Sequence, residues 1–574
     1  MKKNYFWIFI FFISITFSFS QSNDDAKSRW SDYETRAARD SLGIRKVLKM
    51  PNLQFRNAAI QTAKLPYPIL FIHGLNSDSN TWNTLTNYMD SQYQLQYGGR
   101  FDFCLNYDSN NALANKNSYP TPNADIARFT TTLVSGDYYY LNFDLGNNGV
   151  FNPTSTAVLS NQSAIQKQAV ALKRAVTLIM QITGSDKVVV VGHSMGGLCG
   201  REYLQNASYY QADGFHHIAK LGTLGTPNTG SNASLSILNG IIAIDNQSEA
   251  MRDLKTSYFY NGQPGAFLFG GIESNSYMDD MLFSNFYNID VNCNGIVGET
   301  IAGINSKVLP NNLDFACLYG TGNFLTGGDG VVSNSSANIN SVYPNTTNNI
   351  FSSGAIHTSL TSQIAEVMQT FDEPNSSNLG YKINLDQLYL GFVSQQAAGQ
   401  PVTDVDYYRL EIPAAGNYTF NETSTATQNI SVKFSNPDGS FVGNTISNTS
   451  PSMSIVQSLP AGTINLAITN INPSSTSYQV PYRFEIKSAV LVNENFNSSN
   501  FNIFPNPTAN ILHFDNSNAE FQTITISNVL GMVIETKTIS NADTQIDISS
   551  YQNGLYFLKF AKDGSSKTIK IMKN

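Results

Sequence analysis

Charge is scarce in this chain. Asp, Glu, Lys and Arg together make up 13% of its 574 residues, where about a quarter is usual. The balance is acidic, with a net charge of −8, so there is no electrostatic reason to expect nucleic acid as a partner. Cysteine is nearly absent. Cys104, Cys199, Cys293 and Cys317 are the four present, and none is spaced C-x-x-C, which excludes the usual sequence pattern of a thiolate metal centre. Long apolar runs are missing too, with one exception. Tyr5 to Phe17 is mostly apolar, follows Lys2 and Lys3, and precedes Ser18-Phe19-Ser20. It is shorter than the roughly 20 residues that span a bilayer. Charge, apolar run and small residues in that order predict a signal peptide over residues 1–20. No later segment is long enough to span, so the mature chain is expected to have no transmembrane segment.

Apolar residues nevertheless reach 41%. At roughly 100–200 residues per domain, the length predicts two to four domains. An exported destination permits disulfides. Four cysteines allow three pairings, and Cys293 with Cys317 is the pair that closeness within one irregular region favours. Cys199 reads as a small core residue.

The chain changes character along its length. Residues 21–64 are polar and partly helical. Pro68 to Ile72 is a continuous apolar strand ending at His73-Gly74-Leu75. Residues 163–182 carry apolar side chains at helical spacing, and Gly184 can end that helix. Val188 to Val191 and Ala219 to Leu224 are further apolar strands. Alternating strands and helices of this kind predict an α/β fold with a mainly parallel sheet over residues 65–372. Within it, residues 230–325 are irregular and rich in Met and Phe, as an inserted cap or lid would be. Residues 373–379 read as a linker. Short alternating strands over 380–490 predict a β-sandwich. Residues 500–574 repeat that style as a separate unit.

The strongest chemical signal is Gly192-His193-Ser194-Met195-Gly196, directly after the Val188–Val191 strand and before a helix. A serine on a strand-to-helix turn is crowded on both sides, which explains the flanking glycines. The helix N-terminus behind it favours developing negative charge. Ser194 is therefore the expected nucleophile. A serine hydroxyl needs a base, and the chain holds six histidines. His73 and His193 belong to the glycine-flanked turns, His216 and His217 come too early, and His513 lies in the last unit. His357 remains. The base needs an acid. Asp329, in Gly328-Asp329-Gly330-Val331-Val332, completes the order serine, acid, histidine. Asp314 and Asp290 are alternative acids. The oxyanion requires two donors, expected from the backbone N–H groups of Leu75 and Met195.

These blocks together resemble the bacterial triacylglycerol lipases of the α/β-hydrolase superfamily, over roughly residues 65–370. The resemblance implies a secreted ester hydrolase with lipid or ester substrates, with the triad and oxyanion roles just given. It implies no required cofactor. Those lipases place a calcium-binding aspartate two residues after the histidine, where this chain has Ser359. A different loop, Asp290-Val291-Asn292-Cys293-Asn294-Gly295, begins like an EF-hand. It makes Asp290, Asn292, Asn294 and Glu299 candidate ligands for a structural calcium ion, although Ile301 stands at the twelfth position.

Asp404 to Leu410 and Pro413 to Tyr418 resemble the pre-peptidase C-terminal β-sandwich, which implies an accessory module. Phe504-Pro505-Asn506-Pro507, Val529-Leu530-Gly531, Asn553-Gly554-Leu555-Tyr556 and the basic ending resemble the sorting domain of type IX secretion. That implies the type IX machinery as a partner and an extracellular or cell-surface destination. Phospholipase, acyltransferase and a surface-binding or adhesion protein on a hydrolase scaffold are the competing functions.

Overall fold

The computed structural model describes residues 36–37, 44–47, 53–54, 63–105, 124–129, 133–143, 162–231, 249–254, 259–260, 263–266, 268–273, 276–277, 286–287, 291–292, 298–323, 327–344, 349–392, 404–424, 430–447, 452–471, 477–488, 503–514, 521–529, 531–540, 544–562 and 565–574. The signal peptide read at residues 1–20 lies outside them, as do Asp290, Cys293 and Asn294.

Among the described residues, seven parallel strands form the heart of the α/β domain. They are β1 (Ile69–Ile72), β2 (Tyr97–Cys104), β3 (Tyr138–Asn142), β4 (Val188–His193), β5 (Ile218–Leu224), β6 (Asp314–Gly320) and β7 (Ile350–Ser353). Their spatial order is β2-β3-β1-β4-β5-β6-β7. Beyond β2, the strand Ala124–Phe129 pairs antiparallel. The central β4 lies between β1 and β5, with Val191 opposite Phe71 on one side and Gly222 on the other.

The apolar run of β4 is explained by burial on both faces. Val189 and Val191 point into one core with Ile69 and Phe71, while Val188 and Val190 point into another with Leu70 and Ile72. The strand period of two divides the run between the layers. Helices α2 (Ile165–Thr183) and α3 (Met195–Gln205) cover the second face through Leu172, Ile179, Cys199 and Tyr203. Helices α1 (Asn83–Tyr88) and α4 (Ile364–Phe371) cover the first through Leu85, Val367 and Phe371. Gly184 caps α2 in the left-handed conformation, φ 69°, a position where glycine avoids the Cβ clash.

The first core does not stop at α4. It continues through Tyr381, Tyr389 and Tyr408 into a β-sandwich of two antiparallel-dominated sheets. The Phe371 and Phe392 rings lie 5.8 Å apart, and Tyr67 and Tyr381 5.0 Å apart. The segment read as a linker therefore begins inside a packed boundary, where Asp372 and Glu373 are buried. The polar sequence resembled a solvated connection, but the aromatic seam on both sides removes water from it.

Residues 488–574 form a second compact unit. A three-stranded sheet and a four-stranded antiparallel sheet enclose Leu512, Phe514, Phe521, Ile526, Leu558 and Phe560.

The expected Cys293–Cys317 bridge is not formed. Cys317 is a free, buried thiol. It sits within β6, where its Sγ donates to the Ala337 carbonyl at 3.1 Å. A mid-strand position inside the sheet faces core helices rather than an irregular loop. Cys199 is likewise free and buried.

Candidate active site

Ser194 stands between β4 and α3 with φ 54° and ψ −127°. Few non-glycine residues adopt such dihedrals, and they cost on the order of 1–3 kcal/mol. The turn is held by a hydrogen bond from the Ser194 amide to the Leu224 carbonyl of β5, at 2.8 Å. Its tightness accounts for the flanking glycines. A Cβ on Gly192 would lie 2.4 Å from the Gly196 carbonyl carbon, and one on Gly196 would lie 2.6 Å from the His73 carbonyl oxygen.

Asp329 and His357 meet just beyond the ends of β5 and β6. His357 Nδ1 donates to Asp329 Oδ2 at 2.7 Å. The His357 amide also donates to the Asp329 carbonyl at 2.9 Å. The second carboxylate oxygen, Oδ1, accepts from the amides of Val331 (2.9 Å) and Val332 (2.7 Å). Burial works against the charge on Asp329. The hydrogen bond and charge of His357, with the two amides, outweigh it and hold the carboxyl below the usual range. With Nδ1 committed to the acid, Nε2 of His357 is left as the basic nitrogen.

This pair is adjacent to the serine turn. Gly225 follows directly on Leu224, the acceptor for the Ser194 amide. A Cβ there would lie 3.0 Å from Asp329 Oδ2 and 3.2 Å from His357 Nδ1. His193 bridges from the other side. Its Nε2–H donates to the His357 carbonyl at 3.0 Å, and the two rings are 4.8 Å apart. Burial, reinforced by the neighbouring His357, pushes His193 down to about 3. It is neutral in any ordinary buffer.

Asp314, an alternative acid on sequence grounds, lies elsewhere. It opens β6 and pairs with Lys220 of β5 at 3.0 Å, at the sheet edge opposite the serine turn. His216 and His217 bond to Asn312 and Asp213.

The loop after β1 reaches the serine closely. A Cβ on Gly74 would lie 2.6 Å from Ser194 Cβ. His73 fixes this loop. Its Nδ1–H donates to the Gly74 carbonyl at 2.9 Å, and its Nε2 accepts from the Phe143 amide at 2.8 Å. One donor and one acceptor make the ring neutral, and full burial lowers its pKa accordingly. The amides of Leu75 and Met195 have no backbone acceptor among the described residues. The sequence treated His73 and His193 only as parts of turns. Their adjacency to the glycine motifs was the signal for these positioning bonds.

Parts of the insert pack on this side. Leu268, Val291, Ile304 and Leu254 join Met195 and Leu198 in one cluster, with Leu75 and Ile301 against it. Glu249 and Asp253 anchor the insert to the N-terminus of α2. Their carboxylates accept from the Ala164 and Ile165 amides, each at 2.9 Å. Glu249 also pairs with the fully buried Lys167 at 2.8 Å. Acids at a helix N-terminus satisfy free amides and oppose the dipole.

Of the expected calcium loop, Asn292 and Glu299 are described. The Asn292 amide nitrogen donates to Glu299 Oε2 at 3.0 Å, so a nitrogen faces the carboxylate. Among the described residues, acidic oxygens able to share one ion converge elsewhere, at Asp372, Glu373 and Asp406.

Residues 66–255 match the PGAP1-like alpha/beta domain, and residues 502–574 match the secretion system C-terminal sorting domain. No curated protein matches the chain. Solved structures similar to it include a protein from Listeria innocua, at 14% identity and TM-score 0.32, covering 54% of this chain and 95% of that one. Carboxylesterase CesB from Bacillus subtilis is similar at 10% identity and TM-score 0.25, covering 61% and 94%. The pre-peptidase C-terminal domain of a Bacillus anthracis collagenase is similar at 11% identity and TM-score 0.15, covering 18% and 92%. The chain thus carries an α/β-hydrolase domain of the PGAP1-like kind and a type IX sorting domain. The sorting domain marks it for export to the cell surface or the extracellular space.

Proposed function

We propose that this exported chain is a serine carboxylic-ester hydrolase acting on acyl lipids, with Ser194, His357 and Asp329 as its triad. One observation carries the reading: the His357–Asp329 hydrogen bond of 2.7 Å lies against the turn that strains Ser194.

The chemistry follows from that arrangement. Ser194 Oγ attacks the ester carbonyl carbon as its proton passes to His357 Nε2. Asp329 keeps the imidazole in the Nδ1–H form and stabilises the imidazolium. The amides of Leu75 and Met195 hold the oxyanion. Collapse expels the alcohol, which takes the proton from His357, and leaves an acyl-serine. Water repeats the sequence and releases the acid. The groups required are all in the chain, and no cofactor enters a step.

A lipid acyl substrate is favoured by the apolar cluster of Leu75, Met195, Leu268 and Ile301 beside the oxyanion donors. Triacylglycerol is the specific substrate proposed. A fluorophosphonate probe is expected to label wild type and not Ser194→Ala. A graded series from acetate esters to long-chain triglyceride is expected to peak at long chains. Full labelling of Ser194→Ala would remove the triad assignment. A peak at acetate would leave the triad standing and replace the lipase with a short-chain esterase.

A further inference from the structure

We propose that Ser163 and Gln168 form a polar subsite beside the apolar acyl cluster, and that it selects lipid esters whose acyl chain carries a hydroxyl a few carbons from the carbonyl. The proposal rests on the triad reading above and narrows its substrate class.

The chain runs down α2 and back up β4, so the start of α2 lies at the same end of the sheet as Ser194. Gln168 stands in the first turn of α2, and its Nε2 lies 3.7 Å from the Met195 sulfur. Met195 gives its amide to the oxyanion and its side chain to the apolar cluster with Leu268, Val291 and Ile304. The same Gln168 Nε2 donates to the Ser163 carbonyl at 3.1 Å. That bond joins the two residues and fixes which end of the carboxamide is nitrogen.

Two polar atoms here have no partner. Gln168 Oε1 and Ser163 Oγ make no hydrogen bond, and both residues are fully buried. Leaving such groups unmet is unfavourable, so a ligand that meets both is bound selectively. The charges nearby are already compensated. Lys167 pairs with Glu249 at 2.8 Å, and Glu249 and Asp253 accept from the Ala164 and Ile165 amides. The subsite is therefore neutral.

Its chemistry fits an alcohol. Gln168 Oε1 can only accept, and the Ser163 hydroxyl can donate. An alcohol gives its proton to Gln168 Oε1 and accepts one from Ser163 Oγ. A ketone or ester oxygen leaves Oε1 unmet. A carboxylate faces Oε1 without a proton, and an ammonium finds no counter-charge. Full burial means that the pair reads a group carried inward on the acyl chain, not one that stays at the mouth of the site. Met195 supplies both the oxyanion amide and the sulfur beside Gln168, which sets the alcohol close to the carbonyl. In a mainly apolar pocket, a few placed polar groups decide specificity. A site built to bond a hydroxyl rejects the analogue that lacks it far more strongly than an apolar wall rejects a missing methylene.

The test uses the full exported chain. The substrates are p-nitrophenyl tetradecanoate and its 3-hydroxy and 12-hydroxy derivatives, and a fluorophosphonate label reports on Ser194. Wild type is expected to hydrolyse the 3-hydroxy ester with kcat/KM about 10–100-fold above the other two. Gln168→Met occupies similar space without the acceptor and is expected to bring that ratio to about one. Ser163→Ala, the smaller change, is expected to lower the ratio several-fold, and it decides the matter if Gln168→Met does not fold. A wild type that labels but treats the three esters alike overturns the proposal and leaves the triad standing. So does a 3-hydroxy preference that both variants keep. A wild type that neither labels nor hydrolyses any of the esters overturns the triad and this subsite with it.

Discussion

His357 and Asp329 are joined twice, once through the ring Nδ1 and carboxylate at 2.7 Å and once through the His357 amide and Asp329 carbonyl at 2.9 Å. The backbone bond fixes where the imidazole begins, and the side-chain bond fixes which nitrogen carries the proton. Replacing Asp329 by Asn removes the charge while keeping the shape. An amide nitrogen facing Nδ1 would favour the wrong tautomer. Asp329→Asn is expected to lower kcat on the order of 10⁴-fold with little change in KM. Steady-state kinetics on a soluble ester checks it, and a loss below tenfold would contradict the acid's assignment.

His193 gives a pH prediction about stability. Its folded pKa is lowered from 6.5 to about 3, first by burial and then by the nearby His357. The unfolded chain therefore binds a proton that the folded chain refuses. The stability this represents is fully present above pH 6.5 and is lost as pH falls toward 3. Wild type should lose stability over that window, and His193→Gln should lose less of it. Parallel denaturant titrations at pH 7 and pH 4.5 measure the difference. Equal losses in the two proteins would refute the effect.

Gly74→Ala tests the oxyanion loop. The added methyl would stand 2.6 Å from Ser194 Cβ, so the loop must retreat. The Leu75 amide would leave its position. Activity should fall by about 10²–10³-fold, as when one oxyanion donor is removed. Circular dichroism should stay native. Full activity with native spectra would show that Leu75 does not serve the oxyanion.

Lys167→Met tests how the insert is held. Lys167 and Glu249 are both fully buried and 2.8 Å apart. Removing one partner strands the other's charge, at a cost of about 3–5 kcal/mol. The double variant Lys167→Met/Glu249→Gln should recover part of that. Urea unfolding of all three proteins checks it, and a double variant less stable than the single one would contradict a charge-pair explanation.

Much of the candidate site was legible in the sequence because its signals are local. The Val188–Val191 run must be a strand buried on both faces, and Gly192-His193-Ser194-Met195-Gly196 must be a tight turn. Steric exclusion by a Cβ acts between residues a few positions apart. The Phe71-Ile72-His73-Gly74 turn is local for the same reason. The histidine was reached by elimination. Cys317 shows the failure of proximity in sequence as a guide. It lies 24 positions from Cys293, yet its place in β6 makes it a core thiol.

By itself the sequence determined the layered α/β order, the strained serine turn, the C-terminal sorting domain and the two β-rich units, since these rest on periodicity, glycine sterics and short motifs. The tertiary structure decided which acid faces His357. Asp314 and Asp329 bracket the same strand, and only the parallel sheet sends one to Lys220 and the other to the serine edge. It also decided that Glu373, read as the start of a linker, is enclosed with Asp372 and Asp406 where the α/β layers meet the β-sandwich. Burial and charge compensation depend on what packs from the far side, and no window of the chain contains that information.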